Sequence, residues 1–296
     1  MRLATYDFGD GIGPARIDGD HVIDLRALGP AMADILPLSA DIIGRHAGPS
    51  IRLDRHRLLA PVPEPGMFLG VGLNYRDHAR EIGRPLPARP ALFAKLRGSV
   101  APPFGRILRA AGVTTLDYEG ELGVVVGRRC YRPVDEAEAA CAIAGYVVVN
   151  DVSVRERINP DQVSLGKSAR GHGPFGPWIT TADAIADPHA LRLRTWVNGE
   201  LRQDSSTANL HHRIPALVHL IASAVVLMPG DVIATGSPGG SGVGLSPPRY
   251  LDPGDRVAVE IDELGRIEHV IVDEDDIPVP TGPAPVFDER APPPPP

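Results

Sequence analysis

Two carboxylates lie one residue apart where an apolar run begins near the middle of the chain. Glu119 and Glu121 are separated by a glycine, and the β-branched residues 124–126 that follow favour a strand over a helix. Side chains two residues apart on a strand point to the same face. Two such carboxylates repel each other unless a positive charge lies between them, and the hard cations Mg²⁺, Mn²⁺ and Ca²⁺ take oxygen ligands. The alternative is a strand end that places both acids in water.

A third carboxylate, Asp151, ends the next apolar run of the sequence. Residues 143–149 are rich in valine and predict a second buried strand, and Asp151 follows it directly. Three carboxylates from neighbouring strand ends would fill half of an octahedral coordination shell, with water or substrate completing it. The sequence therefore predicts a divalent cation site, if the two strands are adjacent.

A histidine and a glutamate with the spacing of an acid–base pair precede these strands. Residues 75–82 predict a short helix capped by Asn74, on which His78 and Glu81 share a face. A neighbouring carboxylate orients an imidazole and favours its protonated form, which suits general acid–base catalysis. The alternative is an incidental pair on a polar surface helix.

Lys167 and a glycine-rich segment add two further candidates. Lys167 precedes residues 171–177, which are rich in glycine and proline and predict a loop, and a loop lysine matters chemically only if it faces the acids. Residues 236–244 form a second glycine-rich loop, whose N–H groups and Ser237 hydroxyl could bind an anion. The alternative for this loop is a flexible surface segment.

The composition limits the class of protein. A chain of 296 residues with 43% hydrophobic content can bury a core, and its net charge of −7 argues against nucleic acid or an anionic membrane as a partner. No apolar run approaches the roughly 18 residues of a membrane span, and the N-terminus lacks the apolar core of a signal peptide. Cys130 and Cys141 have no metal-binding spacing and are predicted to be reduced thiols. We therefore predict a cytoplasmic protein.

The distribution of turn residues divides the chain into three parts. Residues 1–60 predict a small domain, a meander of short strands followed by a helical stretch at 31–46, and prolines then mark an extended connection. Residues 66–274 form the catalytic domain of this interpretation. Residues 275–296 are acidic and then proline-rich, and we predict that this tail is disordered or lies on the surface.

Several segments, taken in order, resemble the fumarylacetoacetate hydrolase superfamily from about Phe68 to Ile271. They include Gly-Leu-Asn-Tyr-Arg-Asp-His at 72–78, Asp-Tyr-Glu-Gly-Glu-Leu at 117–122, Asn-Asp-Val-Ser-Val-Arg at 150–155, Gly-Lys-Ser at 166–168, Gly-Pro-Trp at 176–178, Arg-Gln-Asp-Ser at 202–205 and Pro-Gly-Asp-Val-Ile-Ala-Thr-Gly at 229–236. Each segment alone is a weak signal, whereas their joint order and spacing are specific.

The resemblance implies both a fold and a metal site. The fold would be α+β, a mixed β-roll of this superfamily's type with a small N-terminal α/β domain, assembled as a homodimer. The metal would be Mg²⁺ or Mn²⁺, with Ca²⁺ as an alternative in crystals, held by Glu119, Glu121 and Asp151. The partner would be a small 2-oxo or 2,4-diketo acid.

The resemblance also implies roles for the remaining residues. The helix with His78 and Glu81 would be a lid that supplies the acid–base pair, and Lys167 would stabilise an enolate. The residues implied to bind substrate are Arg155, Ser237, Gln203 and Tyr75. The predicted function is metal-dependent hydrolysis of a C–C bond in an acylpyruvate-like 2,4-diketo acid. The alternatives are a decarboxylase, isomerase or hydratase of a related 2-oxo acid, or a non-catalytic ligand-binding relative.

Three departures from the family pattern leave the substrate open. Ile158 stands where relatives often have glutamine, the stretch between Asp151 and Lys167 is short, and residues 169–172 (Ala-Arg-Gly-His) replace a common Phe-Asp. We expect these altered residues to line the substrate end of the pocket. None of them is a predicted metal ligand.

Overall fold

The structure is a computed structural model that describes residues 1–274, and the predicted disordered tail at 275–296 lies outside the described residues. The first strands are β1 (Arg2–Asp7), β2 (Ile12–Asp18), β3 (His21–Asp24), β4 (Ser50–Arg52) and β5 (Leu58–Leu59), with helices α1 (Met32–Ile35) and α2 (Ala40–Arg45) between β3 and β4. Two short helices thus replace the single helical stretch predicted at 31–46. Ser39 lies between them and caps α2 by accepting a hydrogen bond from the Ile42 N–H.

The rest of the described chain is rich in strands. The strands are β6 (Phe68–Gly72), β7 (Ala91–Ala94), β8 (Val100–Ala101), β9 (Phe104–Arg109), β10 (Leu116–Asp117), β11 (Gly120–Val126), β12 (Ile143–Asn150), β13 (Ser153–Val154), β14 (Gly173–Thr181), β15 (Arg192–Val197), β16 (Glu200–Ser206), β17 (Val232–Ala234), β18 (Arg256–Ile261) and β19 (Gly265–Asp273). The helices are α3 (Arg76–Glu81), α4 (Glu136–Ala140), α5 (Ser164–Lys167) and α6 (Ile214–Ala224).

Most of these strands form one mixed sheet. Its order is β4-β3-β2-β1-β14-β12-β11-β17-β6-β7, with β5 paired to β1 and β8 paired to β14. A second sheet has the order β16-β15-β18-β19-β9, and β10 pairs with β13. The pairs β17–β6, β14–β8 and β19–β9 are parallel and the other strand pairs are antiparallel. The α+β class with a mixed sheet is therefore confirmed.

The valine runs of β11 and β12 are continuous because both faces of these strands are covered. Val124 and Val148 belong to the hydrophobic cluster on one face, and Val125, Val147 and Val149 belong to the cluster on the other. This double burial explains why the two strands are continuous valine runs instead of alternating ones. The acids at the strand ends extend the face of Val125 and Val149, as the period of two requires.

The N-terminal strands continue the central sheet. β1 pairs with β14 through Arg2↔Thr180 and Leu3↔Ile179, and the Met1 ammonium donates to the Thr181 hydroxyl at 2.5 Å. Residues 1–60 thus share a sheet with the part that follows them. The division into a small and a large domain stays a prediction.

Strand β14 corrects the predicted loop at residues 171–177. This segment pairs with β12, and the register shifts between Tyr146↔Thr180 and Val148↔Gly176. The shift places Pro177 at an irregularity, where a missing N–H costs no ladder hydrogen bond. Local turn propensity is overridden here because the segment is buried between β1 and β12.

Two further sequence predictions concern cysteines and membrane spans. Cys130 is a buried free thiol and Cys141 is an exposed one. Among residues 1–274 no helix has the length and apolar character needed to cross a bilayer.

The buried His269 predicts a pH dependence of stability. Its Nε2 lies 2.9 Å from the Pro102 carbonyl oxygen, and burial lowers its pKa from about 6.5 to about 4. Between these values the unfolded chain binds a proton that the folded chain does not, so this stability is present above pH 6.5 and is lost as the pH falls towards 4. The loss is about 3 kcal/mol at about 1.4 kcal/mol per pKa unit.

Urea unfolding at pH 7.5 and at pH 4 measures this loss. His269→Gln keeps an N–H donor for the Pro102 carbonyl and removes the titration. The buried His172, whose pKa is also lowered to about 4, remains in both proteins and cancels in the comparison. An equal loss of stability in wild type and variant would contradict the assignment to His269.

Candidate active site

The three predicted metal ligands lie together at one end of β11 and β12. In the antiparallel register Gly120 pairs with Asn150, and the Asp151 N–H donates to the Glu119 carbonyl at 2.8 Å. One carboxylate oxygen from each of Glu119, Glu121 and Asp151 lies within 4.8 Å of the others, and all three residues are buried. The predicted clustering of the triad is therefore confirmed.

Lys167 and Arg155 are two of the cationic side chains that contact the outer members of the triad. The Lys167 ammonium donates to Glu119 Oε2 and to Asp151 Oδ2, each at 2.6 Å. The Arg155 guanidinium lies 2.6 Å from Glu119 Oε1 and 2.8 Å from Asp117 Oδ2. Lys167 thus faces the acids, although it lies in helix α5 and not in the predicted loop.

The carboxyl groups differ strongly in proton affinity. Burial would raise the pKa of Glu119, but Arg155 and Lys167 outweigh it and lower that pKa well below its usual range. Burial, with repulsion from Asp151 and Glu119, raises the pKa of Glu121 well above its usual range, against the smaller effects of Lys167 and the Gly236 N–H. The difference arises because Arg155 and Lys167 contact Glu119 and stabilise its charge, whereas neither contacts Glu121, whose charge is buried beside like charges.

The donor set suits a hard divalent cation. Three buried carboxylates converge, the donor atoms are all oxygen, and Glu121 is destabilised by its like-charged neighbours. A third base, Lys95, has its ammonium 2.5 Å from Asp151 Oδ1. With Asp117, Lys95, Lys167 and Arg155 included, the cluster has a formal charge of −1, since four acids face three bases. A doubly charged cation would offset this negative charge. The residues therefore fit such a cation.

A cavity of about 770 Å³ opens in front of the triad. Its polar lining consists of His78, Glu81, Arg84, Glu119, Arg155, Lys167 and Ser237. Much of the remaining lining is apolar, including Leu92, Phe93, Ile158, Val163 and Val243. A mostly apolar pocket with a few convergent charged groups is the usual form of a small-molecule site.

Helix α3 brings the histidine pair to this cavity. His78 Nδ1 lies 3.0 Å from Glu81 Oε2, and Glu81 Oε1 accepts a hydrogen bond of 2.8 Å from the Gly240 N–H. Glu81 thus orients the imidazole and ties the helix to the glycine-rich loop. The prediction of Asn74 as the helix cap is wrong, because its side chain is buried and bonds to the Thr235 carbonyl and to the His212 backbone instead.

Two of the four predicted substrate-binding residues line the cavity. Arg155 and Ser237 line the cavity. Gln203 is buried behind Ser237, to whose hydroxyl its amide donates at 2.9 Å, while its carbonyl accepts from the Gly120 N–H. Tyr75 is buried in a hydrophobic cluster that includes Leu122 and Leu210, and its backbone pairs with that of Leu210. The geometry brings neither Gln203 nor Tyr75 to the cavity wall.

Of the residues that depart from the family pattern, Ile158 lines the cavity and residues 169–172 do not. Ile158 lines the cavity and packs against helix α5, where a Cβ at Gly166 would lie 2.3 Å from its Cγ1. None of residues 169–172 belongs to the cavity lining, so the prediction that they do is wrong. The His172 ring points to the Leu108 carbonyl oxygen, 2.7 Å from its Nε2, and is buried there.

The sequence interpretation missed Lys95 and Asp117. Lys95 follows β7, and its fully buried ammonium donates to Asp151 Oδ1 at 2.5 Å. Asp117 is buried beneath Arg155 and accepts hydrogen bonds from the Gly242 and Val243 N–H groups at 2.7 and 3.0 Å. A compositional signal for Lys95 exists, since only two of the 30 basic residues are lysines and both contact the triad.

Comparisons with known proteins agree with this geometry. An oxaloacetate tautomerase of Bos taurus mitochondria is 35% identical over 289 residues, 92% of this chain and 92% of that protein. The crystal structure of maleylpyruvate hydrolase from Sphingobium sp. SYK-6 with manganese(II) and pyruvate matches at a TM-score of 0.76 and 28% identity, covering 92% of this chain and 99% of that one.

A third relative has another activity. The structure of 2-hydroxyhepta-2,4-diene-1,7-dioate isomerase from Mycobacterium marinum matches at a TM-score of 0.76 and 30% identity, covering 93% of this chain and 99% of that one. Residues 67–272 match the family described as fumarylacetoacetate (FAA) hydrolase C-terminal. This chain therefore belongs to the fumarylacetoacetate hydrolase superfamily.

Proposed function

We propose that the protein hydrolyses a C–C bond in a 2,4-diketo acid of the acylpyruvate type, with Mg²⁺ or Mn²⁺ as its cofactor. One observation carries the proposal. The His78–Glu81 pair, Lys167 and Glu119 of the carboxylate triad line one cavity. An acid–base pair and the Lys167 ammonium would therefore face the same substrate. Such an arrangement suits a reaction in which negative charge develops on the substrate and is then neutralised by a proton.

Glu119, Glu121 and Asp151 would hold the cation. When bound, the cation would act as a Lewis acid that draws electron density from a keto group of the substrate. The other roles belong to residues of the cavity wall. Arg155 would pair with the substrate carboxylate, and Ser237, held by the Gln203 amide, would donate to a substrate oxygen.

The His78–Glu81 pair would activate water. His78 takes a proton from a water molecule, and Glu81 stabilises the imidazolium that forms. The resulting hydroxide adds to the distal carbonyl carbon. The bond between that carbon and C3 then breaks, and its electron pair leaves as the enolate of a 2-oxo acid.

Lys167 would stabilise the charge on that enolate. Its ammonium is buried and lines the cavity. Burial would lower its pKa, but Asp151 and Glu119 together outweigh burial and raise that pKa above its ordinary value. A fixed cation in a dry site stabilises developing charge strongly because little solvent must reorganise. Proton return to C3 gives the 2-oxo acid, and the distal fragment leaves as a carboxylic acid, so one water is consumed.

A second candidate is tautomerisation or isomerisation of a 2-oxo acid on the same residues. The relative of 35% identity across 92% of the chain is an oxaloacetate tautomerase, and that reaction needs enolisation without an attacking water. Decarboxylation and hydration would use the same stabilised enolate. A non-catalytic ligand-binding protein is disfavoured, because it would need neither the His78–Glu81 pair nor Lys167 at the cavity.

A substrate panel tests the proposal. The purified protein, stripped with chelator and reloaded with Mg²⁺ or Mn²⁺, is incubated with acylpyruvates of different acyl groups and with simple 2-oxo acids. We expect cation-dependent loss of the diketo-acid absorbance and equimolar carboxylic acid and pyruvate as products. Enol–keto conversion without cleavage across the panel would establish the second candidate instead, and no turnover with either cation would exclude both.

We also propose that the protein is a homodimer in the cytoplasm. The side chains of Leu92, Leu96 and Leu165 are exposed, and Leu92 also lines the cavity, so these residues are candidates for an interface beside it. Light scattering coupled to gel filtration tests the assembly, and cell fractionation tests the location.

A further inference from the structure

Lys95 has a position that no catalytic step uses. Its side chain is fully buried, does not line the cavity, and reaches the triad from the side of β7. Its Nζ donates to Asp151 Oδ1 at 2.5 Å, to the His172 carbonyl at 3.0 Å and to the Lys167 carbonyl. Three acceptors around one nitrogen require three N–H donors, and only an ammonium supplies them.

These three acceptors belong to parts of the chain that the site must hold in place. Asp151 is a proposed metal ligand at the end of β12. The Lys167 carbonyl fixes the backbone from which the Lys167 ammonium reaches the other oxygen of Asp151. The His172 carbonyl leads into β14. One ammonium thus sets both the orientation of a carboxylate and the backbone position of the second lysine.

Packing and a backbone hydrogen bond fix the position of the Lys95 side chain. A Cβ on Gly173 would lie 2.8 Å from the Lys95 Cε, so the aliphatic stem packs directly on the backbone of that glycine. The Lys95 N–H donates to the Phe68 carbonyl at 2.8 Å, which fixes the stem's origin beside β6. Arginine could keep the charge, but its planar guanidinium cannot direct three N–H groups at acceptors that surround a single point.

We propose that Lys95 is a positioning residue, which orients Asp151 as a metal ligand and places Lys167 for the reaction. The proposal rests on the proposed cation site. Groups that orient metal ligands commonly change metal affinity by about 10–100-fold when they are removed. A charge effect alone would act in the opposite direction, since removal of a positive charge beside the triad would strengthen cation binding.

The direction of the change in Mn²⁺ affinity therefore tests the proposal. Calorimetric titration of the cation-free protein with Mn²⁺, without substrate, measures the Kd of wild type, Lys95→Met and Lys95→Arg. We expect Kd to rise about 10–100-fold in Lys95→Met and to rise also in Lys95→Arg. An unchanged or lower Kd in Lys95→Met would overturn the proposal. If Lys95→Met does not fold, wild-type affinity in Lys95→Arg overturns it, because charge would then suffice.

Ser168→Ala is the matched control. The Ser168 hydroxyl accepts a hydrogen bond of 2.9 Å from the Leu96 N–H and so joins the same two segments as Lys95 without contacting the triad. We expect its Kd for Mn²⁺ to stay within about threefold of wild type, well below the effect expected at a group that orients a ligand. A loss of affinity as large as that of Lys95→Met would contradict the proposal, because it would show that any contact joining these two segments supports Mn²⁺ binding.

Kinetics supply a second readout. At saturating Mn²⁺, Lys95→Met should lower kcat more than it changes KM, because a displaced Lys167 stabilises the transition state less and binds the ground state about as before. Failure of wild type to bind Mn²⁺ would instead refute the cation site itself. A wild type that binds Mn²⁺ without turning over the panel would refute the reaction and leave the role of Lys95 to the titration.

Discussion

Replacing Glu121 by glutamine is expected to abolish cation binding while leaving the cation-free protein as stable as wild type or more stable. Glu121 is buried beside Asp151 and Glu119, which repel its charge. The variant removes that repulsion and keeps a carbonyl oxygen for the Gly236 N–H, which donates to Glu121 Oε2 at 2.8 Å. Function and stability therefore oppose each other at this residue, as is common where a site collects like charges.

Thermal unfolding with and without Mn²⁺ measures both parts of this expectation. A ligand that binds only the folded state stabilises it by about 2.7 kcal/mol at one hundred times its Kd. Wild type should gain this stabilisation, and Glu121→Gln should gain none. Glu138→Gln, which changes an acid in the first turn of α4, is the control and should respond as wild type does. Equal stabilisation of wild type and Glu121→Gln by Mn²⁺ would remove Glu121 from the metal site.

The carboxylate cluster proposed to bind the cation was predictable because its geometry is local. The period of two places Glu119 and Glu121 on one face, and the following run identifies the strand as buried. Only the adjacency of Asp151 needed a further step, and two neighbouring buried strands in sequence most often pair. The His78–Glu81 contact also follows from local helix geometry, because residues three positions apart share a helix face.

The supporting contacts were not predictable because they are long-range. Lys95 meets Asp151 across 56 residues and the Lys167 carbonyl across 72. Gln203 reaches Ser237 across 34 residues. No local pattern announces that a lysine is buried, because the same residue type is normally solvated. The scarcity of lysine beside abundant arginine was the available signal.

The predictions for the N-terminal segment and for β14 were incomplete or wrong for a related reason. Short strands separated by Gly-Asp turns predict a meander but not the sheet that it joins, and the β1–β14 pairing spans most of the described chain. In β14, glycine and proline predict a loop, yet neighbours on both sides supply the pairing that decides its conformation.

Lys167→Ala is expected to lower turnover by about 10²–10³-fold, the scale of losing one donor to a developing oxyanion, with a smaller change in KM. Its ammonium lies at the boundary between the triad and the cavity, 2.6 Å from Glu119 and from Asp151. If it stabilises the enolate, it should also accelerate enolisation of a simple 2-oxo acid. Exchange of the C3 hydrogens in D₂O, followed by proton NMR on the Mg²⁺-loaded protein, should therefore slow in Lys167→Ala.

His78→Ala should separate the two candidate reactions, because water activation and enolisation make different demands on the imidazole. If the His78–Glu81 pair only activates water, the variant should lose hydrolysis of an acylpyruvate and keep C3 exchange near the wild-type rate. Arg80→Ala is the control on the same helix, since that exposed side chain donates to the Arg76 carbonyl at 3.2 Å and does not line the cavity, so the variant should keep both reactions. Loss of exchange together with hydrolysis in His78→Ala would make the pair the enolising base. Tautomerisation would then replace hydrolysis as the proposed reaction, because a base positioned at C3 moves a proton without any attacking water.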